Sequence, residues 1–296
     1  MSVLITPQQL TNSGVTNFYY SFLFLPREKR RAIEAVYAFA RRGDDIVDSD
    51  LSVQDAAREL ALYRAALDAC YADEFPGVQS GASQFAGDVK LRTLSEAVHR
   101  FKIPRQYFDD LILGLEMDLP SDGKGVRYET FDDLAVYCYR VAGAIGLMAI
   151  EIFGYRDPRA REYALNLGQA LQLVNIIRDV QSDAQRGRVY LPTEDLEQFG
   201  VRPDSLAQGE YTSGFVELMQ FECHRARGAF DAARAKLAQE DRRSMVAAEI
   251  MAAIYWRLLK RIQSRAYNVF GERVHISKTL KLWTAFSVYL GAEWHK

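Results

Sequence analysis

The chain has 296 residues, 49% of them hydrophobic and 26% charged, with a formal net charge of −2. That apolar share supplies a sizeable core and excludes a disordered chain. The balance of 37 basic against 39 acidic residues excludes a globally basic footprint and predicts no nucleic-acid partner. Three widely spaced cysteines, Cys70, Cys138 and Cys223, form neither a disulfide framework nor a zinc pattern, which predicts a reducing, cytoplasmic setting. The opening stretch MSVLITPQQLTNSG lacks the basic region and apolar run of a signal peptide. The longest apolar run, Val141 to Ile150, is shorter than the about 20 residues of a membrane span, so none is predicted.

In chain order the signals are helical, and alternating strand patterns are nearly absent. Pro26 fits a first helical position, opening a helix to about Asp48. Ser52 with Asp55 caps the next one. A loose stretch from Pro76 to Gly87 precedes helices at about 88–101 and 104–117. Thr130 with Asp133 forms a capping box that leads a helix to about Phe153, and Asp157-Pro158 opens another to about Asp183. Arg186 to Gly209 reads as a connector with short helical pieces, followed by helices at about 213–238, 242–270 and 277–293. No repeat or linker divides the chain, so the expectation is one all-α domain spanning residues 1–296.

The helix ending near Asp183 is apolar almost all round, through Leu167, Leu171, Leu173, Val174, Ile176 and Ile177, as a buried helix is. Yet Gln172, Asn175, Asp179 and Asp183 follow at spacings of three, four and four, on one stripe. Tyr37, Arg41, Asp44 and Asp48 repeat the arrangement at the end of another apolar helix. Asp45 lies about 100° round from Asp44 and points elsewhere. Buried carboxylates need partners, and two such pairs point to a functional site. Hard oxygen ligands without Cys or His suit Mg²⁺, which takes one or two carboxylates plus substrate phosphates. The four histidines show no ligand spacing, and neither a P-loop nor a GxGxxG is present.

FARRGDDIVD (39–48) together with NIIRDVQSDAQRGRVYLP (175–192) resembles the two aspartate-rich motifs of the squalene/phytoene synthase family. YCYRVAGAIG (137–146) resembles a third signature, and NFYYSFLFLP (17–26) the family's N-terminal segment. The likeness runs from about residue 12 to 286. GLEMDL (114–119) and RGRVYLP are most similar to bacterial presqualene diphosphate synthases of hopanoid biosynthesis. Many members carry hydroxyl residues around the position that here reads Val15, Thr16 and Asn17.

The resemblance implies a terpenoid-synthase helical bundle with a central cavity and Mg²⁺ held between the aspartate motifs. It implies Asp44, Asp48, Asp179 and Asp183 as metal ligands, with Asn175 supporting the second pair. By the same likeness Arg41, Arg178, Arg188 and Tyr190 contact diphosphate, Tyr137 lies at the reacting centre, and Tyr255 and Arg273 line the same end. Asn17, Phe18, Tyr37 and Gln172 complete the implied substrate contacts. Candidate walls for the prenyl tails are Phe22, Val141, Ile145, Leu147 and Leu173, while Ala142, Gly143, Ala144 and Gly146 leave room for a tail or for a close helix crossing. The implied activity is Mg²⁺-dependent head-to-head condensation of two farnesyl diphosphates to presqualene diphosphate, continuing to squalene or hydroxysqualene in some members. The alternative is phytoene synthesis from geranylgeranyl diphosphate. More distant alternatives are a class I terpene cyclase, whose usual NSE-type triad is absent after Asp183, and a non-catalytic scaffold, against which the four intact carboxylates stand. The basic run Arg27, Lys29, Arg30, Arg31 and the tail with Lys278, Lys281, Trp283, Phe286 and Tyr289 are candidates for peripheral membrane contact, with packing onto the bundle as the competing role for the tail. Oligomeric state is not encoded in any of these patterns.

Overall fold

The computed structural model describes residues 13–49, 51–72, 89–119 and 125–295, with side chains from Phe18 onward. The opening stretch before Ser13, the expected loose stretch Pro76 to Gly87 and the side chain of Asn17 lie outside the described residues. Among the described residues the fold is helical with no strand; one parallel bridge joins Arg127 to Val189. The helices are α1 (Ser13–Phe22), α2 (Arg27–Val47), α3 (Val53–Tyr71), α4 (Val89–Phe101), α5 (Arg105–Glu116), α6 (Phe131–Cys138) and α7 (Ala144–Phe153). They continue as α8 (Ala160–Gln185), α9 (Thr193–Gln198), α10 (Pro203–Gln208), α11 (Ser213–Lys236), α12 (Val246–Ser264) and α13 (Lys278–Tyr289).

The capping signals act as the sequence predicts. Ser52 accepts from the Asp55 N–H, and Thr130 with Asp133 closes a reciprocal capping box. Two starts move by a residue or more. Pro26 is the residue before α2, in extended conformation, and Asp157 accepts from the Arg159 N–H at 2.8 Å so that α8 begins at Ala160. Ala266 and Tyr267 adopt φ of 52° and 65°, which ends the helical run earlier than expected. The basic run on α2 has internal employment. Arg30 donates to the carbonyls of Phe22, Leu23 and Leu25, closing the C-terminus of α1, and Lys29 donates to Phe153 O at 2.5 Å.

One predicted helix is not uniform. Between α6 and α7, Tyr139–Gly143 forms a π-helical segment, a wider turn that periodicity alone does not reveal. The joined run Phe131–Phe153 is long and apolar enough to cross a membrane by length and composition, contrary to the expectation from Val141 to Ile150 alone. Here it packs on α8, α5 and α2, with half of its most apolar stretch buried.

α8 is the hub, touching α6, α7, α10, α11, α12 and the π segment. It passes α7 closely because both sides are small. A Cβ on Gly168 would sit 2.9 Å from the Ala142 carbonyl and from Gly143 Cα, and one on Gly146 would sit 2.9 Å from Ala164 O. The small residues of the third motif therefore serve a close helix crossing. Gly168→Val is expected to lower stability by about 1–3 kcal/mol through overpacking against backbone, read as a fall in the urea midpoint. An unchanged midpoint would mean that the crossing can open without cost. Buried Leu173, Leu147 and Phe22 belong to the core, whereas Val141 and Ile145 retain accessible surface.

Candidate active site

The carboxylates stand at the C-terminal ends of α2 and α8, where chain direction turns and side chains emerge from the core. At the end of α2, Arg41 pairs with Asp45 at 2.7 Å and approaches Asp44 at 3.8 Å. Asp45, which the spacing points elsewhere, thus holds Arg41. The Asp44 carboxyl is pushed up to about 7, chiefly by loss of solvent, which Arg41 opposes and Asp48, Asp118 and Asp45 reinforce. At the end of α8, Asp179 receives two bonds from Arg273, at 2.7 and 2.6 Å, and is forked by Arg178, whose Nε donates at 2.8 Å. Burial alone would raise the Asp179 carboxyl, but the two guanidiniums outweigh it and hold it below the usual range. Asp183 has no such fork, and burial with the Asp179 charge pushes it up to about 7. Asn175 donates to Gln172 at 3.4 Å, one turn back along the same stripe.

The segment after α8 joins the two ends. Val189 N–H donates to Val126 O at 2.9 Å, and a Cβ on Gly125 would lie 1.9 Å from Gly187 O, so the strands of chain run in contact. This placement aims Arg188 across the gap. It donates to Asp48 Oδ1 at 2.6 Å and to Val47 O at 2.7 Å, and its charge also reaches Asp183 and Asp118. Tyr190 follows into a buried ring cluster, 5.1 Å from Tyr137 and 6.2 Å from Tyr128 between centroids. Asp118, only 6% exposed, accepts from Tyr190 at 2.6 Å and from Tyr137 at 3.0 Å. Its carboxyl is raised by burial, against the pull of the two phenols and Arg188. The Tyr128 hydroxyl beside it is buried without a partner.

On the other flank, buried Tyr255 lies within electrostatic reach of Arg178 and of Tyr37, and Asp44 reaches Tyr37 as well. Phe18 lies over Tyr37 at 4.4 Å. Lys281 is buried on the inner face of α13, its pKa lowered by burial and then by Arg178, Lys278 and Arg273. Three cations thus share a region in which Asp179 is the carboxylate that pairs with Arg178 and Arg273.

Among the described residues no three His, Cys, Asp or Glu side chains converge as a ready-made metal cage. The donor set still suits Mg²⁺. Burial raises the cost of the Asp44 and Asp183 charges by more than the nearby arginines offset, and Mg²⁺ needs only one or two carboxylates when phosphate oxygens and water complete its octahedron.

Residues 12–279 match the family described as squalene/phytoene synthase. The chain belongs to that family. Curated relatives include a phytoene synthase of Mycobacterium tuberculosis, 36% identical over 94% of this chain and 87% of its own. A 15-cis-phytoene synthase of Synechocystis is 34% identical over 97% and 83%. Among solved structures, a dehydrosqualene synthase superposes with a TM-score of 0.77 at 29% identity, covering 92% of this chain and 90% of its own. The squalene synthase HpnC from Alicyclobacillus acidocaldarius gives 0.74 at 29% identity, covering 88% and 93%. The all-α bundle is therefore the helical fold of squalene/phytoene synthases, and the chain is an enzyme of the prenyltransferase class that joins prenyl groups head to head.

Against this squalene/phytoene synthase frame, the fold gathers Arg41, Asp44, Asp48, Asp179, Asp183, Arg178, Arg188, Arg273, Tyr37, Tyr255 and Phe18 around the two helix ends, with Tyr137 and Tyr190 on the adjoining Asp118 cluster. Three residues of the site escape sequence reasoning. Asp118 had a signal, as a carboxylate closing the apolar stretch LILGLEMDL. Lys281 had one too, sharing its helix face with the buried residues Thr284, Ala285 and Val288. Tyr128 had none, because its place depends on the bridge to Val189.

Proposed function

We propose that the chain condenses two farnesyl diphosphates head to head and releases presqualene diphosphate, acting as a single domain in the cytoplasm. The observation that carries this reading is the pair of carboxylate-bearing helix ends bridged by Arg188, with Arg178, Arg273 and Lys281 alongside. Asp44, Asp48, Asp179 and Asp183, supported by Asn175, would hold Mg²⁺, which supplies positive charge that neutralises the leaving diphosphate. Arg41, Arg178, Arg188, Arg273 and Lys281 bind its oxygens, and Asn17, Phe18, Tyr37, Gln172, Tyr190 and Tyr255 seat the substrates. The C1–O bond of one substrate breaks with its electron pair on the diphosphate. The C2=C3 double bond of the second substrate then attacks the allylic C1, leaving a cation at C3. Loss of a proton from the attacked C1 to the released diphosphate lets that electron pair close the cyclopropane at C3. Tyr137, held by Asp118, is the polar group at the reacting centre, and the apolar surroundings keep water from trapping the cation.

A second reading has its own support: the curated relatives named phytoene synthase are 34–36% identical over more than nine-tenths of the chain, which favours geranylgeranyl diphosphate as substrate and phytoene as product. Incubation with each diphosphate and Mg²⁺, with and without NADPH, separates the two. Farnesyl diphosphate is expected to be consumed faster and to give presqualene diphosphate without NADPH. EDTA is expected to stop turnover, Mg²⁺ to restore it, and a zinc-specific chelator to do nothing. Because Asp44 and Asp183 titrate at about 7 and metal needs them deprotonated, the Mg²⁺ concentration for half activity should rise as pH falls below 7. Faster conversion of geranylgeranyl diphosphate to phytoene would establish the second reading, and inhibition by the zinc chelator alone would overturn the Mg²⁺ assignment.

A further inference from the structure

The chain between α12 and α13 delivers Arg273 to Asp179 along a bent path. Ala266 and Tyr267 take left-handed φ of 52° and 65°, and Gly271 follows at 76°. Residues other than glycine persist in that conformation only where the surrounding structure holds them there. The holding contacts are present at the start of the segment. The Tyr211 hydroxyl donates to Ala266 O at 2.7 Å, and Phe270 stacks on Phe215 of α11 with ring centroids 4.4 Å apart. Beyond Arg273 the chain is pinned again by buried Val274 and Ile276. Arg273 itself is not held by packing, since its side chain is 46% exposed. A long, exposed guanidinium gives up rotamer freedom to fork a carboxylate, so where its backbone stands decides how well it lands.

The anchor just upstream of Arg273 is a side chain of α8. Gln181 Oε1 accepts the Gly271 N–H at 3.0 Å, two residues before Arg273. The amide has little room to swing away. Gly209, left-handed at the end of α10, faces it so closely that a Cβ there would lie 2.6 Å from Gln181 Nε2 and 3.5 Å from the Phe270 ring. Gln181 stands two residues past Asp179, which puts the two side chains on different sides of the helix. α8 thus grips the segment twice, through Gln181 on the Gly271 backbone and through Asp179 on the Arg273 guanidinium.

We infer that Gln181 is a positioning residue, whose hydrogen bond to Gly271 holds the backbone from which Arg273 reaches Asp179 and the diphosphate. The inference rests on the reading of Arg273 as a diphosphate contact, and it does not depend on which prenyl diphosphate is used. Gln181 touches no reacting atom and acts only through Arg273. Its effect on diphosphate binding therefore vanishes once the Arg273 guanidinium is removed, whereas a general contribution to the fold would persist.

The test is a double-mutant cycle on the full chain, read as affinity for inorganic pyrophosphate in Mg²⁺ buffer by titration calorimetry. Gln181→Met keeps the length of the side chain and removes the acceptor. It is expected to weaken pyrophosphate binding by about three- to tenfold, the scale of one hydrogen bond. Arg273→Ala should weaken it by about tenfold or more, as loss of a charge-assisted contact does. Adding Gln181→Met to Arg273→Ala should change nothing further. Amide hydrogen exchange, which needs no ligand, should be faster across residues 268–273 in Gln181→Met than in the parent. Parent-like affinity in Gln181→Met beside a weakened Arg273→Ala overturns the inference alone. So does a Gln181→Met loss that persists in full on the Arg273→Ala background, or exchange across 268–273 that stays at the parent rate. Parent-like affinity in Arg273→Ala removes that arginine from diphosphate binding, and the inference then falls together with the active-site reading.

Discussion

Asp44→Asn and Asp179→Asn are each expected to lower kcat by about 10²–10³-fold or more, as loss of charge at a transition-state site does, while moving stability in opposite directions. Asp44 has a folded pKa raised to about 7. A raised carboxyl stabilises the fold below its unfolded pKa and loses that contribution as pH rises through about 7. At pH 8 the Asp44 carboxylate is therefore a burden, eased because 48% of the side chain meets water, and a neutral Asn should leave the melting temperature equal or higher. Asp179 is the reverse case. Its pKa is depressed, so its contribution is present above the unfolded pKa and is lost as pH falls through the folded one. Asp179→Asn strands Arg178, whose side chain is only 9% exposed, without its counter-charge. Breaking a buried pair on one side costs up to about 3–5 kcal/mol. Loss of activity without loss of stability at Asp44 is the mark of a residue kept for binding rather than folding. Thermal melts at pH 6 and 8 alongside steady-state kinetics check both parts. Activity within a few-fold of the parent in either variant would remove that aspartate from the metal site.

Asp118→Leu is expected to combine a large stability loss with a fall in kcat. Two buried phenols, Tyr137 and Tyr190, would lose their acceptor, and each unsatisfied hydroxyl costs about 1–3 kcal/mol. Relief of the buried Asp118 charge returns part of that sum. Tyr137 would also be free to turn, and misplacement of a group at the reacting centre can cost about 10²-fold in rate. Asp118 acts through Tyr137 and through the substrate-seating Tyr190, so kcat should fall by more than KM rises. Asp118→Asn keeps one carbonyl acceptor and should recover part of both losses. Equal kcat for the Leu variant and the parent would show that the cluster is packing alone.

The all-α class and the carboxylate pairs were legible from local signals, whereas the family's fold came from the resemblance of the aspartate-rich motifs. Capping chemistry at Ser52 and Thr130 acts within four residues, and amphipathic spacing through α2 and α8 repeats every turn, so both survive any tertiary arrangement. The same one-dimensional period put Asp179 and Asp183 on one stripe of α8. The π segment at Tyr139–Gly143 was not legible, because an inserted turn alters hydrogen-bond register without leaving a compositional trace. The crossing of Gly168 on Ala142 and Gly143 was open to two readings until the backbones were seen at contact.

What the sequence determined by itself was an all-α chain, the helix ends that carry Asp44, Asp48, Asp179 and Asp183, and the chemistry those oxygens suit. The tertiary structure decided how the charges are shared. Arg273 comes from 94 residues beyond Asp179, Arg188 from 140 beyond Asp48, and Tyr190 from 72 beyond Asp118. These partners follow from close packing of the chain around α8 and from the bridge of Arg127 to Val189, neither of which has a local period. Whether a carboxylate is held as an anion, as Asp179 is, or left with a raised pKa, as Asp44 and Asp183 are, depends on solvent exclusion and on distant guanidiniums. Electrostatic energy falls with separation in space, and only the fold converts sequence separation into distance.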